Sequence, residues 1–243
     1  MKLNVVVKRE LQSYFATPIA YVFIVVFLVL SSVFTFYLGN FFERQQADLI
    51  PFFSFHPWLY LFLVPAISMR LWSEERKTGT LELLMTLPLS RRDIVLGKFL
   101  AAWIFAGLSL LLTFPIWITV NYLGDPDNGV IFASYIGSWL MAGGFLAIGS
   151  CMSALTRSQV IAFVLCGFVS LVFVMAGFPM VLDAFKGWMP MLFVDMIAGL
   201  SFLTHFSAVS RGVLSLQDFL YFMSVIAVWL TATSIVLDMK KGD

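Results

Sequence analysis

Residues 70–98, RLWSEERKTGTLELLMTLPLSRRDIVLGK, form the one long run dense in charge in a chain that is 60% hydrophobic and 12% charged. Strongly apolar segments flank it on both sides, which makes it the one sizeable loop on its face of a membrane. Two helix starts lie inside it. Ser90-Arg91-Arg92-Asp93 ahead of Ile94-Val95 has the capping-box form, with Ser at the N-cap and Asp at N3. Upstream, Gly79-Thr80 leads into Leu81, Leu84 and Met85, an i, i+3, i+4 apolar stripe that stops at Pro88. Two readings fit a helix, a stop and a second helix before a span. One is a solvated loop whose basic residues only fix topology; the other is a docking element for a cytoplasmic partner.

The rest of the chain supplies the membrane. A mean hydropathy of +0.94 and 26 Phe in 243 residues exceed what soluble chains carry. Several uncharged runs reach the roughly 20 apolar residues that a spanning helix needs. The fold class is therefore an all-α polytopic membrane protein, one domain over residues 1–243. Cys151 and Cys166 fall in apolar runs, where a thiol is a small hydrophobe, and no CxxC or zinc spacing occurs. The first apolar run follows Lys8-Arg9-Glu10 and is long enough to span, so a cleaved signal peptide is not expected. A net charge of +1 gives no basis for a nucleic-acid partner.

In chain order, residues 2–17 put Leu3, Val7, Leu11, Tyr14 and Phe15 on one helical face, with Lys2, Lys8, Arg9 and Gln12 on the other. That pattern predicts an interfacial helix lying among lipid headgroups. Thr17-Pro18 reads as N-cap and N1 of a first span over 19–38. Further spans are expected over 52–69, kinked at Pro65, and 99–120, with Pro115 inside it. Residues 123–129, LGDPDNG, are a turn by composition. A span over 130–155 follows, in which Gly137, Gly143, Gly144 and Gly149 predict close helix packing. The last two spans are expected over 160–178 and 219–237.

Residues 179–218 mix apolar stretches with Asp183, Lys186, Asp195, His205, Arg211 and Asp218. They form either a seventh span or a re-entrant hairpin. Charge decides for the hairpin. With six spans and both termini cytoplasmic, only Arg44, Lys186 and Arg211 of the fifteen basic residues lie outside. A seventh span would move Lys240 and Lys241 outward and set Asp195 deep in hydrocarbon, at a cost of several kcal/mol. Asp195, His205 and Arg211 are the residues to watch there.

No HExxH, GxSxG or GxxxxGK[ST] motif is present, and Gly97-Lys98 lacks the upstream glycine of a phosphate loop. The expectation is that the chain is not an enzyme, hydrolyses no ATP and binds no cofactor. The middles of the spans carry no Asp, Glu, Lys, Arg or His, which disfavours an ion-coupled carrier.

The loop also carries a resemblance. Glu74-Glu75-Arg76-Lys77-Thr78-Gly79-Thr80-Leu81-Glu82-Leu83-Leu84, then Pro88-Leu89-Ser90-Arg91 and Gly97-Lys98, closely resembles the signature of type-2 ABC exporter permeases. In that family the stretch joins spans 2 and 3 and includes the coupling helix that sits on the ATPase. The resemblance implies that 2–17 is the elbow helix and that 179–218 is the family's re-entrant hairpin. Residues 200–206 and 210–213, LSFLTHF and SRGV, look like the outer segment of the gliding-motility-type branch.

The resemblance implies a permease subunit in the bacterial inner membrane, with lipid, glycan, peptide or protein all compatible as its substrate. ATP and Mg would sit on two copies of a separate ATPase. A second permease chain is implied, identical or larger with an extracytoplasmic domain, and membrane lipid surrounds both. The contact residues it suggests are Glu74, Glu75, Gly79, Thr80, Leu81, Glu82, Leu84 and Met85, with Arg157 as a smaller second contact. The rival reading from another class is a non-transporting scaffold or mechanical relay that anchors an ATPase-containing complex.

Overall fold

The computed structural model describes residues 2–86, 90–187, 190–213 and 215–239, and every regular element among them is helical. Helix α1 (Lys2–Phe15) precedes α2 (Pro18–Val33), which continues into a π-helical turn, Phe34–Leu38. Pro18 stands in the first turn of α2, where its missing N–H costs nothing. Thr17 occupies the N-cap position, but its hydroxyl donates backwards to the Tyr14 carbonyl at 3.0 Å. Helices α3 (Ile50–Ser54) and α4 (His56–Ser68) divide the next apolar stretch, and α5 (Arg70–Thr78) and α6 (Thr80–Thr86) occupy the charged loop.

Helices α7 (Arg91–Leu111) and α8 (Phe114–Leu123) follow, then α9 (Asn128–Leu155) and α10 (Gln159–Met175). Three short helices come next, α11 (Pro179–Lys186), α12 (Met191–Gly199) and α13 (Phe202–Val209), before the long α14 (Leu216–Met239). Several starts are set by local chemistry, a side-chain oxygen accepting a first-turn N–H. Ser90 accepts from Asp93 N–H, Asp127 from Gly129 and Val130, and Ser158 from Ile161. The capping box read at Ser90 is thus present; the Pro88 stop lies outside the described residues.

Helix α9 is the axis. Its most apolar window is 83% buried, and α14, α10, α4, α7 and α13 all pack on it. Its glycines make that possible. A Cβ on Gly149 would land 2.0 Å from Ser68 Oγ, and one on Gly137 would land 2.5 Å from Val209 Cγ1. In lipid, where apolar burial no longer drives helices together, such close backbone approach supplies the packing energy. Helices α7 and α9 run antiparallel, since Trp103 packs on Gly143 while Gly107, one turn farther along α7, faces Trp139, one turn earlier in α9.

Among the described residues, four helical stretches are long and apolar enough to cross a membrane: Pro18–Leu38, Arg91–Leu123, Asn128–Leu155 and Leu216–Met239. The pair α12 and α13, bent by 66°, makes a fifth if taken as one broken span. Two of the six expected spans are therefore shorter than anticipated. The second is cut at Phe55, because Pro57 starts a fresh helix within the first turn of α4. The fifth is α10, at 17 residues. The third expected span is also not a single kinked rod: it breaks at Leu112-Thr113, and Pro115 opens α8.

Candidate functional site

Helix α5 continues the second apolar stretch out of the bundle, and three elements fasten it. At its start the Ser153 hydroxyl of α9 accepts from the backbone N–H groups of Trp72 and Ser73, each at 3.1 Å, and donates to the Met69 carbonyl at 2.8 Å. A side chain of another helix thus caps α5. The fully buried Trp72 ring donates to Ser150 Oγ at 2.9 Å, and Arg76 donates to the Ala154 carbonyl at 2.7 Å near the end of α9. Turn by turn, α5 is tied along the last stretch of α9.

An adjacent side of α5 meets Lys98. This side chain is 5% exposed and lies between two carboxylates, 2.7 Å from Glu75 Oε1 of α5 and 3.1 Å from Glu10 Oε2 of α1. Its ammonium also sits 5.5 Å over the Trp72 ring. The two glutamates respond in opposite senses. Burial pushes Glu10 up, but Lys98 and the Arg9 guanidinium at 2.5 Å more than offset that, and its carboxyl is held below the ordinary value of 4.5. Burial also pushes Glu75 up; there Lys98 compensates incompletely and Glu10 repels it, so its carboxyl stays above 4.5. One ammonium shared by two carboxylates cannot satisfy both, and only Glu10 has a second cation. Consistent with this, Glu75 Oε2 is buried without a hydrogen-bond partner.

Beyond Thr78 the chain turns through Gly79, whose φ of +72° is left-handed backbone that favours glycine. Thr78 and Thr80 bridge the turn, hydroxyl to hydroxyl, at 2.9 Å. A Cβ at Gly79 would meet nothing, so only backbone strain opposes substitution there.

The residues anticipated as one contact surface are thereby sorted. Glu74, Gly79, Thr80 and Glu82 are exposed, while Glu75 is turned inward to Lys98. Leu84 is 7% exposed and belongs to the core of the bundle, with Leu81 packed against that core. The apolar stripe of α6 is therefore not offered outward as expected: it holds α6 to its own chain. The Met85 side chain lies outside what the structure describes. Arg157, between α9 and α10, is exposed.

At the other end of the bundle, Asp195 is exposed on α12, and Arg211 is exposed and donates to the Ser207 carbonyl at 3.0 Å. His205 is instead buried. Its Nε2 lies 3.0 Å from the Gly199 carbonyl, which can only accept, and its Nδ1 lies 2.6 Å from Asp218 Oδ1. Ser215 completes the join, donating to Asp218 Oδ2 at 2.6 Å and accepting from Asp218 N–H at 3.1 Å. His205 thus pins the hairpin to the start of α14, and these three residues do not form one site. Sequence reasoning gave no bracing role to Lys98 or Asp218 and passed over Glu10, Trp72, Ser150 and Ser153. The available signal was a lysine at the threshold of an apolar run.

A family model described as ABC-2 family transporter protein matches residues 5–240. The chain belongs to the ABC-2 transporter family. It is the membrane permease of an ABC transporter, and ABC-2 membership implies an ABC ATPase as its partner. The match stands at the level of the ABC-2 family and does not extend to the gliding-motility-type branch. A search of curated proteins found no match.

Proposed function

We propose that this ABC-2 chain is the permease subunit of an exporter, driven by a separate ATPase that docks on the α5–α6 arm. The observation that carries the reading is the bracing of α5. Through Ser153, Trp72 and Arg76 it is fixed to α9, and through Glu75 and Lys98 to α7 and α1. A push on an arm held this way is transmitted to the axis of the bundle rather than absorbed in a loose loop. The exposed docking face is polar, with Glu74, Thr80 and Glu82, and Arg157 offers a second contact. The Gly79 turn sets the angle of α6 against α5.

In the full assembly two ATPase copies carry ATP and Mg, and two permease chains face each other, the second identical or a larger related subunit. Closing of the ATPases on ATP rocks the two bundles and opens a path to the outer side. Six crossings with both termini cytoplasmic put the α5–α6 arm on the ATPase side. The test is reconstitution with the cognate ATPase in proteoliposomes. ATP hydrolysis that needs both proteins, and none from the permease alone, supports the proposal. Hydrolysis that never responds to any candidate substrate, with assembly of the complex lost when the arm is altered, would favour a scaffold instead.

A further inference from the structure

We propose that the groove between α1, α2 and α4 holds one anionic phospholipid, its phosphate on Arg70 and an acyl chain along α2. The groove has a volume of about 230 Å³. Val22 and Val26 of α2 and Leu63 and Ile67 of α4 wall it, and Phe105 of α7 contributes beneath. Val22 and Val26 are 60% and 36% exposed, so a chain laid along them covers apolar surface that the bundle leaves open. The elbow helix closes one end through Tyr14 and Thr17.

At that same end stands a cation with unmet hydrogen-bonding capacity. Arg70 lines the groove, and its Nε is shut away from solvent with no hydrogen-bond partner. The nearby carboxylate, Glu74 Oε2, is 3.8 Å from it, beyond hydrogen-bond reach, on a half-exposed side chain. Glu10, the other carboxylate in the neighbourhood, is held by Lys98 and Arg9. The Thr17 hydroxyl gives its proton to the Tyr14 carbonyl and leaves anion recognition to Arg70. A guanidinium fork matches phosphate oxygens in pairs, and the Arg70 side chain, one-third exposed, can turn its fork to an acceptor that Glu74 does not supply. A free phosphate would satisfy Arg70 and leave the apolar wall bare. An anionic phospholipid meets both, at the depth where its headgroup belongs if α1 is the interfacial helix that its sequence predicts. The site is distinct from the exposed α6 face and does not depend on any ATPase.

The experiment uses the full-length chain in nanodiscs of equal phosphatidylglycerol and phosphatidylcholine, with retained lipid read by native mass spectrometry. One phosphatidylglycerol per chain is expected, preferred about tenfold, which corresponds to 1.4 kcal/mol. Arg70→Gln should bring the two lipids to parity, Arg70→Lys should keep most of the preference, and Ala66→Phe, which fills the groove, should abolish retention of both. An unchanged elution profile and melting temperature establish that each variant is folded. Equal retention of both lipids by the parent overturns the proposal. So does undiminished phosphatidylglycerol on Arg70→Gln, or its displacement by millimolar inorganic phosphate, which would reveal a free-anion site. Should Arg70→Gln fail to fold, the Ala66→Phe and phosphate arms still decide.

Discussion

Trp103 of α7 and Trp139 of α9 lie face to face, ring centroids 4.4 Å apart, and each donates its indole N–H to the other's backbone carbonyl, at 2.8 and 3.1 Å. Each ring occupies space that a glycine provides. A Cβ on Gly107 would fall 2.7 Å from Trp139 Nε1, and one on Gly143 would fall 2.9 Å from the Trp103 ring. Both tryptophans stand four residues before a glycine, in Trp103-Ile-Phe-Ala-Gly107 and Trp139-Leu-Met-Ala-Gly143. In an antiparallel pair this repeat produces a local two-fold clasp: each helix supplies one ring, one carbonyl and one vacancy.

Gly143→Val should weaken the clasp more than Trp139→Phe does. An interhelical hydrogen bond in lipid is worth about 0.6 kcal/mol and at most roughly 1.7. Overpacking a tight contact costs about 1–3 kcal/mol. Melting temperatures of the purified chain in one detergent check the order.

Lys98→Ala should be the most damaging change at the arm. It leaves Glu75 buried without its cation and Glu10 with Arg9 alone, and breaking a buried pair costs about 3–5 kcal/mol. Replacing either glutamate alone should be milder and depend on pH in opposite senses. Glu10 has a lowered value, so its contribution is present above 4.5 and lost as pH falls through that lowered value. Glu75 has a raised value, so its contribution is present below 4.5 and lost as pH rises through the raised value. Melting curves across acid to neutral pH should show Glu10→Gln without the acid-side loss and Glu75→Gln without the fall on the higher side.

Gly79→Val should uncouple the ATPase while leaving the fold intact. A residue other than glycine pays about 1–2 kcal/mol in left-handed backbone, with Asn and Asp the exceptions. Gly79→Asn should therefore retain stimulated hydrolysis in the reconstituted complex. Equal loss in both variants would mean that the turn angle is not what matters.

Leu84→Ala and Glu82→Lys should separate stability from docking. Leu84 is buried in the chain's own core, and deleting such a side chain typically costs about 2–5 kcal/mol, less where the site can collapse. Its melting temperature should drop. Glu82→Lys should melt like the parent and pull down less ATPase, because only an exposed charge has changed.

Single cysteines at Asp195 and Arg211 should react with an impermeant reagent from outside the membrane. One at Arg157 should react only from the cytoplasmic side. All three positions are exposed, so accessibility reports topology rather than burial. Reversal of either pattern removes the six-crossing arrangement.

Composition and spacing alone determined that this is a helical membrane chain, where its cap at Ser90 stands, and that α9 would be approached closely at its glycines. Those properties are local: a run of apolar residues, a Ser-x-x-Asp, a missing Cβ. Only the tertiary structure decided the direction of each side chain on α5 and α6. The same stripe of Leu81 and Leu84 reads as a surface for a partner or as an attachment to the bundle, and periodicity does not say which body lies opposite. Glu74 and Glu75 are neighbours in sequence, yet one faces solvent and the other Lys98, twenty-three residues on. Lys98 looked like a topology signal because its two carboxylates come from distant elements, and long-range pairing leaves no mark in local spacing. The repeated tryptophan–glycine pentapeptide was legible, but its meaning required two helices to meet in antiparallel register. Ionic and steric complementarity belong to pairs of elements, and a single chain's pattern records only one member of each pair at a time.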